Sequence, residues 1–238
     1  MNTYSAHAAI CAKFYELTLD SKSVCKFILK NSHSTVGDSG LFVGGMFEVA
    51  NELVESGITL TVVDYTDEMV DVGRSKLPGT VVEKADLRTL PYTGEFDTVF
   101  VIGRVFTHMI NDTDFSEALR ACRRALRTGG RLFFDNYEDS KIQLTSYFNG
   151  SIECQQDGTV IRRKSSTTKV SDVPYVVRWD AEYNGEFEGK NFSFSDSMEH
   201  RAFSRTEIAN ALPRFGFELL EQGNNFDETS FYSFARAL

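Results

Sequence analysis

No stretch of the 238 residues approaches the ~20 consecutive apolar residues of a membrane-spanning helix. Cations are scarce as well. Twenty-five Lys and Arg stand against 34 Asp and Glu, for a formal net charge of −9. That balance excludes a general affinity for nucleic-acid phosphates, which needs clustered Lys and Arg. The one short basic cluster outside a helix, Arg162-Arg163-Lys164, reads as a polar strand face. The four cysteines (Cys11, Cys25, Cys122 and Cys154) form no CxxC pair. Three sit in apolar helix-like or strand-like patterns, so buried thiols are expected, with neither a metal centre nor a disulfide framework. The first residues, MNTYSAHAAICAKFYE, lack the basic start and long apolar run of a secretory signal. A cytoplasmic protein follows as the expectation. No repeat or low-complexity segment is present.

What remains is an ordinary globule with ample core material. Apolar residues make up 42% and charged residues 25%, and there are 20 Phe and nine Tyr. The length suits one domain, or one domain with a sizeable insertion. Ser5 to Leu17 carries apolar residues at helical spacing, and Asp20 is placed to cap a second helix. From Leu41 the pattern alternates. Leu41–Val43, Ile58–Asp64, Thr80–Lys84, Asp97–Ile102 and Arg131–Asp135 read as buried strands. Between them lie helical patterns: one from Met46 to a stop at Gly57, one capped by Thr66, and one that Asp114 and Glu117 are expected to cap and Gly129-Gly130 to end. Strands alternating with helices imply right-handed crossovers and a parallel sheet covered on both faces.

After Gly150 the style changes. Tyr175, Val177, Trp179, Ala181 and Tyr183 share one face of a strand whose other face carries Arg178, Asp180 and Glu182. Thr159–Ser166, Phe187–Phe194 and Met198–Phe203 are expected as further strands. Ser204 and Glu207 form a capping box for a last helix, and Phe217–Glu221 and Phe231–Ala235 close the chain as a strand pair. The fold class is α/β, a doubly wound, mostly parallel seven-stranded sheet with an antiparallel β insertion. Residues 1–238 form a single domain: 1–32 a helical lid, 33–150 the core, 151–203 the insertion, and 204–238 the closing helix and strand pair.

Ligands of open parallel sheets bind beyond the carboxyl ends of the strands. Gly44-Gly45 stands at the first such end, where glycine admits a ligand to the backbone and a helix begins. Asp64 ends the second strand, about 20 residues on, the spacing of a ribose-holding carboxylate. Asp86 follows the third strand, placed to accept from an exocyclic amine. A tight turn and two helix caps would explain the same residues singly; all three at this spacing favour a bound nucleoside.

Several further segments follow in order: AKFYE at 12–16, VVDYTDEM at 62–69, ADLRTLP at 85–91, EFDTV at 95–99, FTHM at 106–109, LRACRRALRTGGRLF at 119–133 and HRAFS at 200–204. This ordered series, over nearly the whole chain, resembles the class I S-adenosylmethionine-dependent methyltransferases with a helical lid and an antiparallel insertion. Their motifs in the same order read FYD, GVDLSEEM, GDMRDLP, EFDLV, SLQHL, LRNVRRHLKPGGRLV and HRxFT. The resemblance implies S-adenosylmethionine as cofactor, held by Tyr15, Val43, Gly44, Gly45, Asp64, Tyr65, Met69, Asp86, Leu87, Ile102 and Gly103. It implies methyl transfer to nitrogen or oxygen of a small molecule, by a monomer or homodimer. His108 is the candidate general base, or else a structural histidine. Arg104 is the candidate acceptor-binding cation, or one half of an ion pair. Asn136 and Tyr137 are expected to line the acceptor pocket, Tyr15 to cover it, and Arg201 to anchor the insertion.

One departure stands out. The family's first loop reads LDxGCGTG, whereas this chain has LFVGGMF at 41–47. Val43 and Phe47 replace its first and third glycines, and no acidic residue precedes them. Phe47 is expected to crowd the methionine end of the cofactor. A second reading is therefore a decayed, methyltransferase-like binding module. A third, a nicotinamide-dependent reductase, is disfavoured because no full GxGxxG joins the first strand to its helix.

Overall fold

The computed structural model describes residues 6–142 and 148–238. Two helices, α1 (Ala8–Thr18) and α2 (Ser21–Ser32), lead into alternating elements. These are β1 (Ser39–Val43), α3 (Phe47–Glu55), β2 (Thr59–Asp64), α4 (Asp67–Lys76), β3 (Val81–Lys84), β4 (Phe96–Val101), α5 (Asp112–Ala125) and β5 (Leu126–Tyr137). Then come β6 (Gly150–Gln156), β7 (Thr159–Asp172), β8 (Tyr175–Phe187) and β9 (Lys190–Arg201), followed by α6 (Arg205–Ala211), β10 (Phe217–Asn224) and β11 (Ser230–Ala237). The main sheet runs β3-β2-β1-β4-β5-β11-β10, with β1 to β5 parallel and β11 antiparallel to both neighbours. The insertion is a separate antiparallel sheet in chain order, β6 to β9. Among the described residues no helix is long and apolar enough to cross a membrane.

The β-branched and aromatic runs of β1, β2 and β4 are buried on both sides because helices cover both faces. Leu41, Val43, Val99 and Val101 pack toward α5, and Phe42, Val62 and Phe100 pack toward α2 to α4. Asp20 caps α2 by accepting from the Ser23 N–H at 3.1 Å, and Thr66 caps α4 by accepting from the Met69 N–H at 3.3 Å. A third core fills the space between α1 and the insertion, with Phe14, Ile161, Val177, Trp179 and Tyr183 inside. The predicted alternation of β8 is thus one face against α1 and one face in water. All four cysteines are free thiols, three buried and Cys154 half-buried.

Several boundaries differ from expectation. The predicted start of the first helix at Ser5 lies outside the described residues. Asn111, not Asp114, caps α5, accepting from the Asp114 N–H at 2.9 Å. That helix ends at Ala125, ahead of Gly129-Gly130, which instead sit in the irregular opening of β5. The insertion gains β6, whose sequence SIECQQ offers too few apolar residues to announce a strand. The strands expected at Phe187–Phe194 and Met198–Phe203 merge into one, Lys190–Arg201, because Ser195-Asp196-Ser197 keeps the two-residue alternation rather than turning, while Phe187 ends β8 and Phe203 lies beyond β9.

Charge ties α1 to the core. Lys76 of α4 reaches Glu16 of α1 at 2.8 Å and also pairs with Glu48 of α3. Arg201 is 3% exposed and binds Asp112 and Glu207 at 2.6 Å each, anchoring the end of β9 to α5 and α6 as its position in the sequence suggested.

Candidate functional site

The parallel strands all point their carboxyl ends at one cleft of about 330 Å³. Its walls are the segments Val43 to Met46, Asp64 to Thr66, Ala85 to Arg88 and Ile102 to Val105, with His108, Met109, Met69, Tyr15 and Tyr137 completing it. Every residue singled out from sequence as cofactor-holding, together with Arg104 and His108, lies on this lining. Asn136 does not. It is fully buried and lines no described cavity, because β5 turns it to the face opposite Asp135. The sequence did not point to Met46, Val105, Arg88 or Met109. Their placement depends on how the loops fold back, and no local pattern announces it.

The strand ends are pinned by backbone bonds. Gly44 N–H donates to the Val63 carbonyl at 3.0 Å, and Ala85 N–H donates to the Asp64 carbonyl at 2.9 Å. Gly44 has φ +122°, and a Cβ there would stand 2.8 Å from the Ile102 carbonyl oxygen. Only glycine fits. Gly45 leaves the floor open between Asp64 and Met69: a Cβ on it would overlap Met69 Cε and stand 3.6 Å from Asp64 Oδ2. Directly behind, α3 starts at Phe47 with no side chain capping its first N–H groups.

Asp64 is half-buried, and its Oδ1 accepts from the Thr66 N–H at 3.1 Å. Desolvation raises its pKa above the usual carboxylate value, with the Thr66 and Tyr65 N–H groups opposing. Its other oxygen faces the cleft floor at Gly45. Tyr65 stands exposed at the rim. Asp86 caps the short turn Leu87–Thr89 and binds the Arg88 guanidinium, which together with the Arg88 N–H holds its pKa down against partial burial. His108 is open to the cleft but surrounded by protein. This desolvation lowers its imidazole below the usual histidine value, so it stands neutral at pH 7.

Phe47 corrects the sequence reading. Its ring is fully buried in the core and does not line the cleft. Gly73 on α4 makes the room, since a Cβ at Gly73 would approach Phe47 Cε1 to 2.8 Å. The bulk at the third glycine position is therefore turned inward, and Met46 is the loop side chain that meets the cleft. Phe47→Ala is expected to lower stability by about 3–5 kcal/mol, the cost of emptying a large core site. Urea melts check this. The affinity for S-adenosylhomocysteine should not rise, and a gain in affinity would show that the ring obstructs the site after all.

These features fit a nucleoside with a short charged tail: glycines a Cβ would fill, a carboxylate at β2 and an uncapped helix start. Comparison with known proteins agrees. Residues 39–134 match the family described as a methyltransferase domain. A Bacillus subtilis (strain 168) protein named as a methyltransferase, YqeM, is 24% identical over 195 residues, spanning 78% of this chain and 75% of its own. CalS10, an amino pentose methyltransferase from Micromonospora echinaspora solved with S-adenosylmethionine bound, superposes with a TM-score of 0.77 at 17% identity, over 98% of this chain and 97% of its own. KedS8, a sugar N-methyltransferase from Streptoalloteichus sp ATCC 53650, gives a TM-score of 0.70 at 21% identity over 91% and 87%. Residues 39–134 thus resemble a methyltransferase domain, and the chain as a whole shares the fold of these solved methyltransferases.

Proposed function

We propose that the protein is an active S-adenosylmethionine-dependent methyltransferase that methylates nitrogen or oxygen of a small-molecule acceptor. The observation that carries this is Asp64 beside an open glycine floor in the cleft. When bound, the cofactor supplies an already activated methyl group, so the protein's own task is alignment and exclusion of water. Asp64 is placed for the ribose hydroxyls and Gly44-Gly45 for the methionine end. Tyr65 at the rim and Leu87 on the lining suit the adenine, with Asp86 beside them. His108, neutral and on the cleft lining, is the group we assign to take a proton from the acceptor. Tyr15 from α1 and Tyr137 from β5 narrow the cleft on the acceptor side.

The amino pentose and sugar activities of the two structural neighbours support a small, polar acceptor over a macromolecule. The net charge of −9 argues in the same direction against nucleic acid. A cytoplasmic setting and a monomer or homodimer complete the proposal. The decayed-module reading keeps one observation in its favour: β1 supplies no carboxylate, and Leu41 and Phe42 are both buried in the core. Calorimetric titration with S-adenosylhomocysteine separates the two. A saturable one-to-one heat is expected, and its absence at high protein concentration would remove the enzymatic reading.

A further inference from the structure

Tyr15 and Tyr137 line both the cleft and a second, much smaller cavity of about 30 Å³ between α1 and the insertion sheet. Its lining mixes the rings of Phe14, Phe148 and Tyr183 with the charged side chains of Arg163 and Asp196. Trp179 and His200 also line it. Trp179 Nε1 and His200 Nδ1 are both buried and have no hydrogen-bond partner among the described residues. Their side chains are 7% and 6% exposed, and their rings lie 5.8 Å apart. Buried polar atoms are almost always paired, so two such atoms on one cavity suit a hydrogen-bonding group held there. An indole N–H only donates, whereas a neutral imidazole nitrogen accepts or donates. The space admits one or two water-sized groups and no ring. The His200 ring is also 5.6 Å from that of His108, which lines the cleft.

We propose, resting on the methyltransferase reading, that this annex receives a hydroxyl group of the acceptor, carried one or two carbons from the atom that is methylated. Trp179 Nε1 donates to the hydroxyl oxygen, and His200 Nδ1 accepts its proton in a hydrogen bond. The acceptor's ring or chain stays at the neck between Tyr15 and Tyr137, with its nucleophilic atom on the His108 side. The substrate class is thus an amino alcohol or polyol. An acceptor without the hydroxyl would leave both atoms unpaired, and a site built this way rejects such analogues strongly.

Trp179 is the single tryptophan of the chain, so intrinsic emission reports on the annex alone. The full-length protein, with S-adenosylhomocysteine present, is titrated in parallel with 2-aminocyclohexanol and with cyclohexylamine, which differ only by the hydroxyl. The amino alcohol is expected to shift the emission saturably at a concentration at least ~10-fold below that of the plain amine. His200→Phe, which keeps a ring, should bring the two midpoints together, while His200→Asn, which keeps an acceptor near Nδ1, should restore most of the difference. Equal midpoints in the wild type, or no shift with either amine, overturn the proposal. The second result would mean that ordered water alone pairs the two atoms. Calorimetry on the same samples separates the readings. A hydroxyl-dependent shift without S-adenosylhomocysteine binding keeps the annex and removes the methyltransferase reading. Cofactor binding with equal midpoints does the reverse.

Discussion

Replacing Asp64 by Ala is expected to weaken S-adenosylhomocysteine binding by about 100-fold or more. The carboxylate ends β2 half-buried, with one oxygen engaged by the Thr66 N–H and the other turned toward the cleft floor. A hydrogen bond to a charged group contributes about 1.5–3 kcal/mol, and a pair of ribose hydroxyls would make two. About 3–6 kcal/mol is then lost, which calorimetry reads as a Kd increase of two orders of magnitude or more. An unchanged Kd would reduce Asp64 to a turn residue.

The same side chain should weigh on the ligand-free fold in the opposite direction. Desolvation raises its folded pKa above the unfolded value. An acid shifted upward binds its proton more tightly when folded. Its contribution to stability is therefore fully present below the unfolded pKa and is lost as pH rises through the folded one. At neutral pH ionised Asp64 is a burden, and Asp64→Asn should melt no lower than wild type, and slightly higher, while failing to bind cofactor. A position that is costly to keep charged and useless to the bare fold is what a ligand-binding carboxylate looks like.

How much of this was legible beforehand follows from which interactions are local. The parallel core could be read because β1, β2 and β4 are β-branched or aromatic runs buried on both faces, and because glycine, Thr66 and Asp64 mark their ends. Asp64, Gly44, Gly45 and His108 could be picked out because the cleft lies where strands end, and strand ends are visible in sequence. The direction of Phe47 could not be read, since it depends on Gly73 one helix further on. Nor could β6 and the unbroken β9, where Glu, Gln, Ser and Asp alternate with few apolar residues and the sheet is held by its neighbours more than by its own pattern. The annex escaped for the same reason. His200 stood out only as part of a family-like segment, and Trp179 only as one of an alternating face, until β8 and β9 brought them together under α1.

Arg104 is where the sequence left a choice between acceptor binding and an ion pair, and the surroundings favour the second for most of its effect. It is 5% exposed, with φ +60° at the start of the turn after β4. Its backbone N–H donates to Asp135 Oδ1 at 2.8 Å, and its guanidinium stands 3.5 Å from Asp227 Oδ2 and over the rings of Tyr137 and Phe226. Burial pushes the Asp135 carboxyl up to about 6 even with Arg104 nearby. At Asp227 burial also pushes upward, but Arg104, Ser230 and Thr229 outweigh it and hold the pKa low. Arg104→Met keeps the stem and removes the charge, leaving two carboxylates facing each other in a desolvated place. The expected loss is about 3–5 kcal/mol at pH 7, read from urea melts. Its pH dependence identifies the cause. Asp135, already raised, rises further above 6 without the cation, and its unfavourable ionisation is relieved as pH falls through that higher pKa. The gap between variant and wild type should therefore shrink between pH 7 and pH 5, and Asp135→Asn in the Arg104→Met background should recover part of it at pH 7. If Arg104 chiefly bound an acceptor anion, the variant would melt like the wild type at both pH values, and only the acceptor KM would climb.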